Sequence, residues 1–179
     1  MKRLGKCFLA ITSIMIFSAC SVNSSLLMPV SHDLGLIERN TSNKISITLD
    51  APAWLWDERI RYRLLYDDAT VIRYYHKDRW ETPIPALLER RLTIVSKRPL
   101  IMRIQLNQFE QHFDKADKAT VVMDMTVRVF AEKNNKLLGK HNFILSQATI
   151  SADAKGAIDG FVEMTEKAKV EIQLWLDTL

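Results

Sequence analysis

Cysteine is nearly absent from this chain: it has two in 179 residues, Cys7 and Cys20. Beyond residue 20 there is no thiol for a disulfide, a cysteine–zinc site or a cysteine nucleophile, so packing must hold the fold. An excess of one charge is also lacking. The formal net charge of +4 includes Lys2, Arg3 and Lys6, which lie in a stretch without acids; without them Lys plus Arg falls from 25 to 22, against 21 Asp plus Glu. A nearly balanced surface gives no footprint for nucleic acid, which calls for a clearly basic domain. The uncharged run Cys7–Phe17 is 11 residues long, well short of the roughly 20 that span a bilayer as a helix. Motifs of chemistry are missing as well. The four histidines, His32, His76, His112 and His141, show no close metal-ligand spacing, and no HExxH, GxSxG or P-loop sequence occurs. The expectation is a non-enzymatic chain without metal or cofactor.

The N-terminus carries the clearest positive signal. A basic start, the short apolar run and the small residues Ser18 and Ala19 directly before Cys20 have the layout of a secretory signal peptide. With Phe17 where leucine is more usual, the sequence reads as a lipobox. Residues 1–19 are then a lipoprotein signal peptide, and Cys20 becomes the acylated first residue. Each buried methylene contributes about 0.8 kcal/mol, and the several chains of a lipoprotein N-terminus, palmitate among them, anchor it stably. In enteric-type sorting an Asp after the acylated cysteine retains a lipoprotein at the inner membrane; Ser21 stands here, so the periplasmic face of the outer membrane is expected.

Residues 20–43 are rich in Ser and Asn without apolar periodicity and read as a lipidated flexible tether, with a root-mean-square span of roughly 25–30 Å. Residues 44–179 read as one domain. Ile45, Ile47 and Leu49 alternate with polar residues as in a half-buried strand. Segments 61–66 and 71–75 flank Asp67-Asp68-Ala69-Thr70 as a hairpin. A helix is expected to begin near Pro83 or Pro85, where a missing amide costs little. Alternation over Leu100–Leu106 and Val121–Val129, and a turn at Lys133–Lys136 into a strand from Leu137 to about Ile150, predict further strands, the last two as a central antiparallel ribbon. With Ser151 as N-cap, Ala154, Ile158, Phe161, Thr165, Ala168, Ile172, Trp175 and Leu179 form one apolar helical stripe. The fold expected is α+β, two layers, a mainly antiparallel sheet of about five or six strands against two helices, the C-terminal one long.

The aromatic residues are the candidate contact sites. Tyr74 and Tyr75 point to opposite sides of a strand, which places at least one outside the core. Trp54 and Trp56 share one side if their segment is extended. Such side chains serve as interface anchors, while ordinary core packing is the simpler reading for each of them and for Trp80.

The lipobox, the strand pair ending in Arg73-Tyr74-Tyr75, Arg79-Trp80 followed by Pro83, Pro85 and a Leu-rich helix, the Phe109-Glu110 strand and the final Leu174-Trp175-Leu176 together resemble the ABC-type transport auxiliary lipoprotein family over residues 45–179. The Trp54-Leu55-Trp56 segment departs from its usual pattern. The resemblance implies an outer-membrane lipoprotein that assists an MCE-domain protein and its inner-membrane ABC transporter in moving lipids across the envelope. It implies Cys20 as anchor and Tyr74, Tyr75 and Trp80 as family features, and supplies no catalytic residue. Self-association is left open, and the membrane itself is a partner through the acyl chains. A scaffold lipoprotein of another envelope machine, or a lipid-binding carrier with an apolar cavity, are the alternatives.

Overall fold

The structure, a computed structural model, describes residues 28–36 and 42–179. Cys20 and the expected signal peptide lie outside the described residues. The chain forms strands β1 (Val30–His32), β2 (Ser46–Asp50), β3 (Arg59–Leu64) and β4 (Asp68–Trp80), helix α1 (Ile84–Arg91), strands β5 (Leu100–Lys115), β6 (Lys118–Ala131) and β7 (Leu137–Ala148), and helix α2 (Ala154–Leu176). Seven strands make one mixed sheet in the order β1-β4-β3-β5-β6-β7, with β2 also on β5.

β5 is the organising strand. On one edge it pairs antiparallel with β6 over nearly its whole length. On the other it takes two parallel partners in succession, β2 against Ile101–Gln105 and β3 against Gln111–Phe113. The expected ribbon of β6 and β7 exists, but β7 is the edge strand of the order, so the ribbon forms a flank of the sheet rather than its centre. A register shift between Leu106 and Gln108 interrupts β5. The extra residue of such a bulge inverts the alternation: Leu100, Met102, Ile104 and Leu106 face the core before it, and Phe109, Gln111 and Phe113 after it.

Both helices cover that same face. α1 packs its buried Ile84, Leu87 and Leu88 near Ile47 and Leu49 of β2, and α2 lies over β6 and β7. Pro83 caps α1, and Asp153 rather than Ser151 caps α2, its carboxylate accepting from the Gly156 amide at 2.8 Å. The buried stripe of α2 is wider than the one read from the sequence: Gly156, Ala157, Gly160, Met164 and Leu176 join it, whereas Trp175 is half-buried and Leu179 exposed. At Gly160 a methyl group would stand 3.0 Å from Val121 Cγ2, so the absence of a side chain sets how closely helix and sheet approach.

The tether expectation needs correction. Residues 30–34 belong to the fold: β1 pairs parallel with Asp78–Trp80, Leu34 is 2% exposed, and Arg91 donates to the Leu34 carbonyl at 3.0 Å. Three strand residues and one buried leucine are too short a signal for hydrophobic periodicity to detect. Residues 21–27 separate Cys20, the expected lipidation position, from the first described residue.

Candidate functional site: an aromatic and guanidinium surface on the uncovered sheet face

β2 and β3 lie in one row along β5, yet they are not continuous. Asp50 faces Gln105 and Tyr62 faces Gln111, so twelve residues of chain accompany six of β5. The surplus loops out as a 3-10 turn, Ala53–Leu55. Leu55 is buried and pins the loop; Trp54 and Trp56 are 40% and 47% exposed. Trp56 is tied back by its indole N–H, which donates to the Ala51 carbonyl at 3.2 Å. The segment is not extended, and the two tryptophans owe their exposure to an anchored turn.

The face opposite the helices carries Arg59, Arg61 and Arg63 from alternate positions of β3. The Arg61 guanidinium lies 4.1 Å from the centre of the Trp54 ring and 5.9 Å from that of Tyr74; Arg59 lies 3.9 Å from the Tyr74 ring. A guanidinium over an aromatic face is attracted by the ring quadrupole, and the attraction grows as water is excluded. Trp54, Arg61, Tyr74 and Arg59 therefore form one interleaved stack.

Glu110 fixes this stack from below. It is 1% exposed although neither of the described helices covers its side of the sheet, because neighbouring side chains close over it. Its Oε1 accepts from Arg63 Nε at 2.8 Å, Gln108 Nε2 at 2.9 Å and His112 Nε2 at 2.9 Å, and its Oε2 from Arg61 Nε at 3.4 Å. Burial pushes the Glu110 carboxyl up, but the hydrogen bonds from His112, Gln108 and Arg63 and the Arg63 charge outweigh it and hold the group at about 2. A carboxylate held by this many donors is a positioning device for arginines.

The sequence candidates divide sharply. Tyr74 joins the stack. Tyr75 points the other way, half-buried against Tyr62 with ring centres 4.7 Å apart, its hydroxyl donating to Gln111 Oε1 at 2.6 Å. Burial, with nearby Tyr62, Asp153 and Asp78, pushes the Tyr75 hydroxyl up. Trp80 is not a contact residue: it is 1% exposed, with its ring edge-on to Phe109 and Phe161, which stack on each other at 4.0 Å. Cys20 lies outside the described residues. Sequence reasoning passed over Arg61, Arg63 and Glu110. The alternation Arg59-x-Arg61-x-Arg63 was a visible sign of one basic strand face, but its carboxylate partner sits 47 residues away on a strand whose bulge sets which way it points.

Two histidines meet carboxylates, His112 with Glu110 and His32 with Asp78 at 2.9 Å. Neither lines any of three surface clefts. The largest, about 640 Å³, lies at the other end of the molecule between Val95, Arg98 and Gln173; one of about 410 Å³ adjoins it, and a third of about 300 Å³ runs between the end of β7 and α2. Between the layers, where a lipid carrier would hold its cargo, Trp80, Phe109, Phe161 and Met164 fill the space.

No protein-family model matches the sequence, and no curated protein matches it. Among solved structures the chain is similar to a Xanthomonas campestris protein of the DUF330 family, with a TM-score of 0.64 and 12% identity over 83% of this chain and 92% of that one. It is also similar to an uncharacterized protein, with a TM-score of 0.65 and 11% identity over 83% of this chain and 99% of the other. At these identities the likeness is one of fold: the α+β arrangement described above is shared with a DUF330 protein.

Proposed function

We propose that this protein is a lipid-anchored, non-enzymatic docking component on the periplasmic face of the outer membrane, assisting an MCE-type ABC system that moves lipids across the periplasm. The anchor is read from the lipobox at Cys20, and the transport partner from the family resemblance of residues 45–179. The structural observation that carries the docking reading is the Trp54–Arg61–Tyr74–Arg59 stack, held by Glu110 on an uncovered sheet face. Tryptophan, tyrosine and arginine are the residues on which interface energy concentrates. Side chains already locked by stacking and hydrogen bonds lose less entropy when a partner covers them. ATP hydrolysis belongs to the partner.

The experiment is a crosslinked pull-down of the lipoprotein from native envelope, paired with intact-mass analysis of its N-terminus. Recovery of an MCE-domain protein by the acylated chain, lost on Trp54→Ser with Arg59→Ser, is the expected result. Acylated chain that recovers only unrelated envelope proteins refutes the transport role, and undiminished recovery by the double variant moves the docking surface elsewhere.

A further inference from the structure

The direction of β1 bears on how the domain meets the membrane. β1 runs parallel to β4, with Val30 facing Asp78, so the chain enters the sheet from the side of the β3–β4 hairpin tip. Ten residues before Val30 in the sequence is Cys20, and ten before Asp78 is Asp68, the first residue of β4. β4 bulges twice against β3, so that its stretch from Asp68 to Arg79 is matched by Arg59–Leu64 alone, a length of about 17 Å, whereas ten residues of chain reach at most about 36 Å. The acylated residue can therefore lie level with the hairpin tip or beyond it.

That tip is apolar where a hairpin turn is ordinarily polar. Leu65, Tyr66 and Val71 are 39%, 50% and 38% exposed. At the same end of the sheet, Ile150 follows β7 and is 92% exposed. Of the acids there, Asp67 pairs with Arg73 at 3.0 Å, and Asp68 accepts from the Thr70 amide and hydroxyl at 2.8 and 2.6 Å. In the adjacent β5–β6 turn the exposed Lys115 and Lys118 balance the exposed Asp114 and Asp117. The opposite end is different in kind, with Lys44, Lys97, Arg98, Lys133 and Lys136 around the two adjoining clefts.

We infer that the hairpin tip, with Ile150 beside it, rests in the interfacial layer of the bilayer that holds the acyl chains, and that the basic, cleft-bearing end points away from it. This rests on the lipid anchor proposed above. Three sheet spacings separate β3 from β7, roughly 14 Å, so the contact has two points and fixes tilt as well as height. Tyrosine is suited to this layer because its ring is apolar and its hydroxyl stays wet. The two-point contact restricts which face of the domain is presented to the periplasm.

The test uses the acylated protein in vesicles of phosphatidylethanolamine and phosphatidylglycerol, some with brominated chains. Once Cys7 is removed and Cys20 lipidated, a single introduced cysteine carries the fluorophore. Label at Tyr66→Cys and at Ile150→Cys is expected to lose most of its emission to brominated lipid, and label at Asn134→Cys to keep it. Quenching at 134 instead of 66, or at none of the three with acylation confirmed by intact mass, overturns the inference and leaves the anchor standing. A mass without acyl groups overturns the anchor and the inference together.

Discussion

Replacing Glu110 by glutamine keeps the shape of the hub and removes its charge. The amide oxygen can still accept from Arg63 or His112, but the new amino group brings a second donor to the place where Oε2 faces Arg61 Nε at 3.4 Å. Arg61, 8% exposed, is then a buried cation without a counter-charge. Removing one partner of a buried pair costs roughly 3–5 kcal/mol. Because the Arg63 side chain is 25% exposed and water can repay part of its loss, the lower end, about 3 kcal/mol, is expected for Glu110→Gln. Urea unfolding at neutral pH measures it. The pH dependence supplies a second, independent reading. The folded-state Glu110 carboxyl is held at about 2, below its ordinary 4.5. A depressed carboxylate stabilises fully above its unfolded value and loses that contribution as pH falls towards its folded value. The gap between wild type and Glu110→Gln should therefore be constant above about pH 5 and shrink steadily below it. A loss under about 1 kcal/mol at neutral pH, or a gap that does not narrow in acid, would refute the picture of a saturated, buried hub.

Four further changes separate the core from the surface. Trp80→Ala should cost about 3–5 kcal/mol in a denaturation experiment, because it empties a fully buried site between Phe109 and Phe161, whereas Trp54→Ala should cost under about 1 kcal/mol, the worth of an exposed cation–π contact. Tyr75→Phe leaves the fully buried Gln111 Oε1 without its donor; a loss of about 1–3 kcal/mol is expected, and native-like stability would show that the hydroxyl matters little. At most helix positions glycine to alanine is stabilising, but a methyl group on Gly156 would stand 2.0 Å from the Ser151 carbonyl oxygen. Gly156→Ala should thus lower the thermal midpoint and cost about 1–3 kcal/mol, as overpacking does.

What the sequence by itself determined is what depends on neighbours along the chain. Period-two alternation marks β2, the first part of β5 and β6, because successive side chains of a strand face opposite sides wherever it is placed. The apolar stripe marks α2, and Pro83 the start of α1, for equally local reasons. The two-layer α+β class followed from those elements, and the lipobox argument needs only the first twenty residues. What the tertiary structure alone decided depends on contacts distant in sequence. β1 is three residues long and exists because β4 offers an edge. Trp54 and Trp56 are exposed because β2 and β3 share one edge of β5 and the surplus chain between them must loop out. Trp80 and Tyr74 look alike in sequence, aromatic residues of one strand, yet α2 covers one and nothing described covers the other. Glu110 reads as an ordinary strand acid until the bulge at residue 107 turns it to the open face, where Arg61 and Arg63 arrive from a strand 47 residues earlier. A charge that would be solvated on an isolated strand is buried there because four donors converge on it, and convergence across strands leaves no trace in local sequence.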